Sequence, residues 1–390
     1  MRITGSDLAA FNGVAIERVG VLACASDACR PIPFQVDERD AEGRWVLDQG
    51  PEPTQDEPPG LIDDNDVLLF NAEDAGDRAA RRNLPNGPVA EIRVHDPLSG
   101  VTRWAYVVGF GQRAPRADVN YVQYDPTTDR VRGSRVSLGF SDGVPAYLAI
   151  EEGPNLLDRL KVRASATFLF GLIHFARSEA DLRTEFMGWH AGPIRVIRAQ
   201  RQWVRLGWGI HSPTFGSYTY FYRDRAELPV GLRLNFPPTY FFADIVVRVV
   251  LDFRGLHGWL LQVPSVAESI RLDGQTTPTK EALNRATDSW FALRGPHITL
   301  VQTMEVSSSL ATVRRRFFFH ESVAASPPEA LPGEQPGIGW QLDQWEHVGA
   351  GTHELSAVSY ALPGDVDVRQ FMKARAAPMD VTAQPLPVYP

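Results

Sequence analysis

The chain has 390 residues, a formal net charge of −8 and two cysteines. That length can bury a large core and suits two domains, and the ordinary apolar content excludes global disorder and a fibrous repeat. No run approaches the roughly eighteen apolar residues of a spanning helix and no basic block stands out, so neither a transmembrane segment nor a nucleic-acid partner is expected.

In chain order, residues 11–37 predict two short strands, Val14–Val21 and Ile32–Val36, about a turn that holds Cys24 and Cys29. Their spacing suits a Cys24–Cys29 disulfide in an oxidising compartment, with two free thiols as the alternative. Two such ligands without a second Cys or His pair make no zinc site. Residues 48–66 are rich in proline and acid and cannot pack a core, so they predict an exposed loop. Val67–Phe70 reads as a strand. Val89–Val94 and Trp104–Val108 flank HDPLSG with the turn chemistry of a hairpin. Residues 111–118 form the candidate linker, which divides an N-terminal β domain, 1–115, from a larger domain, 116–390.

The second domain opens on a hairpin, Tyr121–Tyr124 and Val131–Leu138. Leu156–Arg163 has the spacing of one or two helical turns, and Phe168–Phe175 reads as a strand buried on both faces. Residues 192–253 carry the strongest β patterning. Val230, Leu232, Leu234 and Phe236 alternate with polar or small residues, as do Ile245, Val247, Val249 and Leu251. The apolar phase switches along 194–210, which predicts a bulge or break near Ala199–Gln202. Thr277 caps a helix with Pro278 at its first position, whose apolar face runs through Leu283 to Trp290. Strands return at His297–Val306, Thr312–His320 and Glu354–Tyr360. Asp365 caps a helix over Val366–Arg375, and an extended, loose tail follows. These elements predict an all-β fold in which a smaller N-terminal β domain precedes a large antiparallel β-sandwich with one or two peripheral helices.

Chemistry-bearing residues fall into three groups. Ten carboxylates and no Lys or Arg lie between Trp45 and Asp77. Within that stretch Asp63, Asp64, Asn65 and Asp66 stand in a row, an oxygen-rich run that suits a structural calcium ion. The spacing of an EF-hand is absent, and a solvated acidic turn is the competing reading; no other cofactor is required. Among the histidines none forms HxH or HExxH. His190 and His211, in the Gly/Pro-flanked loops GWHAGP and GIHSPTFGS, are the acid–base candidates, with Tyr220 beside them. His174, inside an apolar run, reads as a core histidine. No nucleophile elbow or phosphate-binding loop occurs. The third group is aromatic: Trp208, Tyr218, Tyr220 and Tyr222, with Arg195 and Arg201, would make a platform on a sheet face for a sugar ring, an acidic polysaccharide or a protein partner.

Two N-terminal patterns, IPFQVDE at 32–38 and DDNDVLLFNAEDAG at 63–76, resemble exported bacterial proteins. GPIRVIR at 192–198 and G-x-G-T-H-x-L at 349–355 resemble the supersandwich domains shared by galactose mutarotases and polysaccharide lyases. That resemblance implies carbohydrate held in a cleft, with a Tyr or His taking the proton next to a uronate carboxylate. Two readings follow. One is a non-catalytic extracytoplasmic protein, periplasmic or secreted, that binds a polysaccharide, an envelope component or another protein. The other is a lyase or isomerase working through His190 or His211. The N-terminus shows no signal pattern, because Asp7 and Glu17 interrupt it, so export implies a leader removed and Met1 added, with a cytoplasmic location as the alternative.

Overall fold

The structure, a computed structural model, describes residues 1–26, 28–168, 173–207, 209–321 and 336–387. The fold is all-β and sandwich-like: antiparallel sheets carry the described chain and the helices are short. Two compact units emerge. The first comprises Met1–Gln123, Gly188–Val196 and Arg369–Pro390, the second Tyr124–Met187 and Ile197–Val368. The main crossover therefore falls a little after the linker read from composition, and two later segments return to the N-terminal unit.

In the first unit a three-stranded sheet, ordered Arg2–Thr4, Val67–Phe70, Phe34–Asp37, shares a core with a five-stranded one. The larger sheet is ordered Asp380–Leu386, Val89–His95, Thr102–Gly109, Val19–Ala25, Ala28–Pro31. Ile3, Phe34, Leu68 and Phe70 from one meet Val19, Val21, Ile92, Val94 and Val107 from the other, all nearly or fully buried. The tail is not loose. Asp380–Leu386 pairs residue by residue with Val89–His95, because Val381 and Ala383 alternate onto the core. Cys24 and Cys29 are bonded to each other and sit opposite one another in the pairing of the last two strands.

In the second unit a five-stranded sheet packs on a ten-stranded one. The smaller is ordered Ile173–Arg177, Leu157–Phe168, Phe242–Phe253, Gly337–Asp343, Arg314–His320. Phe291, on the strand Trp290–Arg294 of the larger sheet, sits among Phe253, Phe317 and Trp340 of the smaller, with ring centroids 5.4–6.5 Å apart. Fully burying such a side chain contributes roughly 1.5–3 kcal/mol.

Several local expectations change. Leu156–Arg163, read as helical, lies instead in the long strand Leu157–Phe168, paired with Phe242–Phe253. Buried Lys161 forms an ion pair with buried Asp252 on that partner strand, so tertiary pairing overrides the local spacing. The helix capped by Thr277 is present but short, Pro278–Ala282, and Trp290–Arg294 leaves it to become a buried strand. The strand Val196–Gly207 runs without a break at Ala199–Gln202. Its first five residues are all buried, so burial on both faces accounts for the continuous apolar stretch there. His174 is exposed on a hairpin strand. The middle of the run Phe168–Phe175 lies outside the described residues.

Candidate functional site

The densest polar arrangement is built on the strand Phe34–Asp37. Phe34 and Val36 alternate into the core, which turns Gln35 and Asp37 to the opposite face, where both are buried. The segment Gly188–Val196 lies on that face. A Cβ at Gly192 would come within 2.3 Å of the Gln35 side chain, so glycine permits the approach. Gln35 Oε1 then accepts the backbone N–H groups of Ile194, at 3.1 Å, and Arg195, at 3.0 Å.

Asp37 is the hub. Its Oδ2 accepts from Arg195 Nε at 2.6 Å and its Oδ1 from Gln35 Nε2 at 2.5 Å. His190 Nε2 stands 3.2 Å from Asp37 Oδ1, and His190 Nδ1 is 3.0 Å from Asp48 Oδ1. The guanidinium groups of Arg39 and Arg195 both lie over buried Trp45, 3.8 and 4.4 Å from the ring. Burial alone would raise the Asp37 carboxyl, but the His190 hydrogen bond and the charges of Arg195 and His190 hold it below its ordinary value. Burial likewise opposes charge on His190, yet its hydrogen bonds to Asp37 and Asp48 win and push it up to about 10. At neutral pH the ring is therefore an imidazolium donating from both nitrogens. In that state it is a poor proton acceptor.

In the acidic loop Asp63 and Asp66 accept backbone N–H groups, while the buried Asn65 Oδ1 has no hydrogen-bond partner among the described residues. Asp66, read as a metal ligand, is buried and accepts N–H groups from Arg39, at 3.1 Å, and Asp63, at 3.0 Å. Asp63 accepts from Asn65 N at 3.0 Å, and Asn65 Nδ2 donates to the Asp40 carbonyl at 3.1 Å. Asp64 is exposed. Among the described residues no three His, Cys, Asp or Glu side chains group so as to hold a metal ion. Burial, aided by Asp63 and Glu38, outweighs the two N–H donors and pushes the Asp66 carboxyl up to about 7.

The aromatic candidates divide. On the strand Phe215–Phe221, Ser217, Thr219 and Phe221 are buried while Tyr218 and Tyr220 share the half-buried face. Tyr222 follows the strand and carries the Arg225 guanidinium 3.9 Å over its ring. Arg201 Nε is 3.5 Å from Glu185 and remains partly exposed. Arg195 does not join this surface: it is 3% exposed and committed to Asp37 in the other unit. His211 is exposed and its Nδ1 is hydrogen-bonded to the Ser212 carbonyl at 2.7 Å. Trp208 lies outside the described residues. Two cavities among the described residues lie away from the candidates. One of about 180 Å³ is lined by Val94, Asp96 and Arg103, the other, of about 220 Å³, by Lys280, Asn284 and His320, and no candidate residue lines either.

Sequence reasoning singled out His190 and Arg195 but missed their partners Gln35, Asp37, Trp45 and Asp48. A signal existed: in IPFQVDE the polar Gln35 and Asp37 alternate with apolar residues, which puts both on one strand face.

No protein-family profile matches the chain and no curated protein matches it. Solved structures do. An Enterococcus faecalis protein in glycosyl hydrolase family 38 is 9% identical with a TM-score of 0.53, covering 100% of this chain and 45% of that one. An alpha-mannosidase from Enterococcus faecalis V583 is 9% identical with a TM-score of 0.45, covering 78% of this chain and 39% of that one. The chain thus spans under half the length of the structures it matches, and the likeness concerns fold alone.

Proposed function

We propose that the chain is a non-catalytic carbohydrate-binding β-protein of an extracytoplasmic compartment, and that the tyrosine face of the strand Phe215–Phe221 takes the sugar. One observation carries the reading: Tyr218 and Tyr220 stand on the half-buried side of a strand whose other side is fixed in the core. Rings held that way by a rigid sheet offer flat, low-entropy contact area. Arg201 and Arg225 on neighbouring strands supply positive charge suited to an acidic sugar. A fold shared with part of a glycosyl hydrolase family 38 protein is consistent with a sugar-related role. The Cys24–Cys29 bond supports an oxidising compartment.

The competing enzyme reading leans on His190, which stands between two carboxylates. A ring held protonated to about 10 is a poor base near neutrality. The test is affinity electrophoresis through gels cast with polygalacturonate, xylan or mannan. Retardation by polygalacturonate is expected, weakened roughly tenfold by Tyr220→Ala with an unchanged melting temperature. Unretarded migration in all three gels sinks the sugar reading, and release of unsaturated uronate absorbance would favour the enzyme.

A further inference from the structure

The motif G-x-G-T-H-x-L at 349–355 has no part in the surfaces described above, yet it builds a directed hydrogen-bond chain in the second unit. His353 lies near the start of the strand Gly351–Pro363, which pairs antiparallel with Ile298–Val306, Leu355 opposite Val306. Beyond Val306 the chain turns through Ser307, Ser308 and Ser309 before Leu310, 1% exposed, anchors it. That turn falls beside His353. The imidazole is 5% exposed, whereas Ser309 is exposed.

The partners assign each hydrogen. His353 Nε2 is 2.9 Å from the Gly349 carbonyl oxygen, which only accepts, so Nε2 carries the proton. In the neutral ring Nδ1 is then a bare lone pair. It lies 3.1 Å from Ser309 Oγ, which must donate to it. With that hydrogen committed, Ser309 Oγ accepts from Ser307 Oγ at 2.9 Å, and Ser307 Oγ accepts from Glu354 N at 3.4 Å. Gly351, at φ 140°, supplies a turn that a side chain would strain.

An exposed hydroxyl bonded to a buried imidazole, whose far nitrogen is held by a third group, is the arrangement of an activated nucleophile. We propose that Ser309 is a covalent acylation site that takes the acyl group of an activated carboxylic ester. Ser309 Oγ forms a bond to the ester carbonyl carbon while its proton passes to His353 Nδ1. The tetrahedral adduct then breaks the bond to the leaving-group oxygen, which departs as a weakly basic anion such as a phenolate, and Nδ1 gives its proton to solvent. Hydrolysis of the product is harder, because it must expel the strongly basic serine alkoxide. That step needs an imidazolium to protonate the alkoxide, and Gly349 offers the ring a neutral carbonyl where a carboxylate would stabilise its charge. The acyl group therefore stays, and Ser309 is an acceptor and not a turnover site. The sugar surface is separate. Tyr220 pairs with Glu227 and Glu227 with Val358, and Val358 is an odd number of positions from His353, so the two lie on opposite sheet faces.

The experiment treats the full chain with p-nitrophenyl acetate and reads the intact mass, then the modified fragment. One acetyl group per chain on Ser309 is expected. Ser309→Ala should remove it with the melting temperature and polygalacturonate retardation unchanged, since the side chain is exposed. Acetylation without retardation would sink the sugar surface and leave this site standing. Because His353 is buried and its replacement can disturb folding, the base is tested from the other side. With Cys24 and Cys29 bonded to each other, Ser309→Cys and Ser308→Cys each present one lone thiol on the same turn. Iodoacetamide should alkylate the first roughly tenfold faster. No acetyl group, or one that persists in Ser309→Ala, overturns the proposal. Equal alkylation rates overturn it too, and reduce His353 to a pin between two turns.

Discussion

Arg195 and Arg198 lie three residues apart in GPIRVIR, yet each anchors a different unit. The similarities are close. Each is almost wholly buried, each has a carboxylate at 2.6 Å, and each guanidinium lies over an aromatic ring. The carboxylates differ. Asp37, the partner of Arg195, is 1% exposed and shared with Gln35 and His190, whereas Asp129, the partner of Arg198, is 30% exposed. Asp129 also receives both Nε and a terminal nitrogen of Arg198, at 2.9 and 2.6 Å, and the Tyr124 hydroxyl at 2.8 Å. Removing a buried cation does less harm when the carboxylate it leaves behind keeps access to water than when that carboxylate is sealed in.

Three measurements break or sharpen that contrast. The largest effect is expected from Arg195→Ala, which strands a buried Asp37 and should cost about 3–5 kcal/mol of stability. Arg198→Ala should cost less, because Asp129 can be hydrated. Denaturant midpoints that rank the two variants the other way would refute the comparison.

Next comes pH. The folded-state value of His190 is raised, so its contribution is whole below its ordinary value near 6.5 and is lost as pH rises through about 10. His190→Gln should flatten that alkaline decline. Asp66 works in the opposite range. It is raised to about 7 from 3.8, so the folded state holds a proton the unfolded chain has released, and stability falls as pH rises between those values. Calorimetric melting across pH 4–10 checks both, and Asp66→Asn should remove the acid-side slope alone.

The smallest effect concerns calcium. A site occupied at a hundredfold excess over its dissociation constant would add roughly 2.7 kcal/mol. With Asp66 already accepting two backbone N–H groups, superimposable melting curves in calcium and in chelator are expected. A rise that Asp64→Ala abolishes would instead establish the ion at Asp63, Asp64, Asn65 and Asp66.

Elements with a single clear local signal were legible in the sequence. Val67–Phe70 appears with the bounds its apolar run implies, and Thr277 with Pro278 opens its helix. What alternation cannot encode is the partner. Arg195 meets Asp37 across 158 positions, and no period links IPFQVDE to GPIRVIR. Leu157–Phe168 failed for a related reason. Its apolar spacing fits a helix locally, but Phe242–Phe253 supplies a long antiparallel partner that only the folded chain brings near. Arginine was the subtler trap. Arg195, read as part of a platform on a sheet face, proved to be a core residue, as is Arg198, because a planar cation can stack on an aromatic ring while bonding a carboxylate.

The disulfide between Cys24 and Cys29 closes too short a loop to contribute much through chain entropy alone. Its consequence lies at the rim of the five-stranded sheet, where Ala28–Pro31 is the outermost strand. Behind it runs VGVLACA, uncharged, apolar and without proline. Reduction would leave that outer strand held only by its short ladder, and each time it peeled away an adhesive edge would open to another molecule. The bond is best understood as a guard on colloidal behaviour: a reductant should leave the melting temperature nearly in place while turbidity climbs.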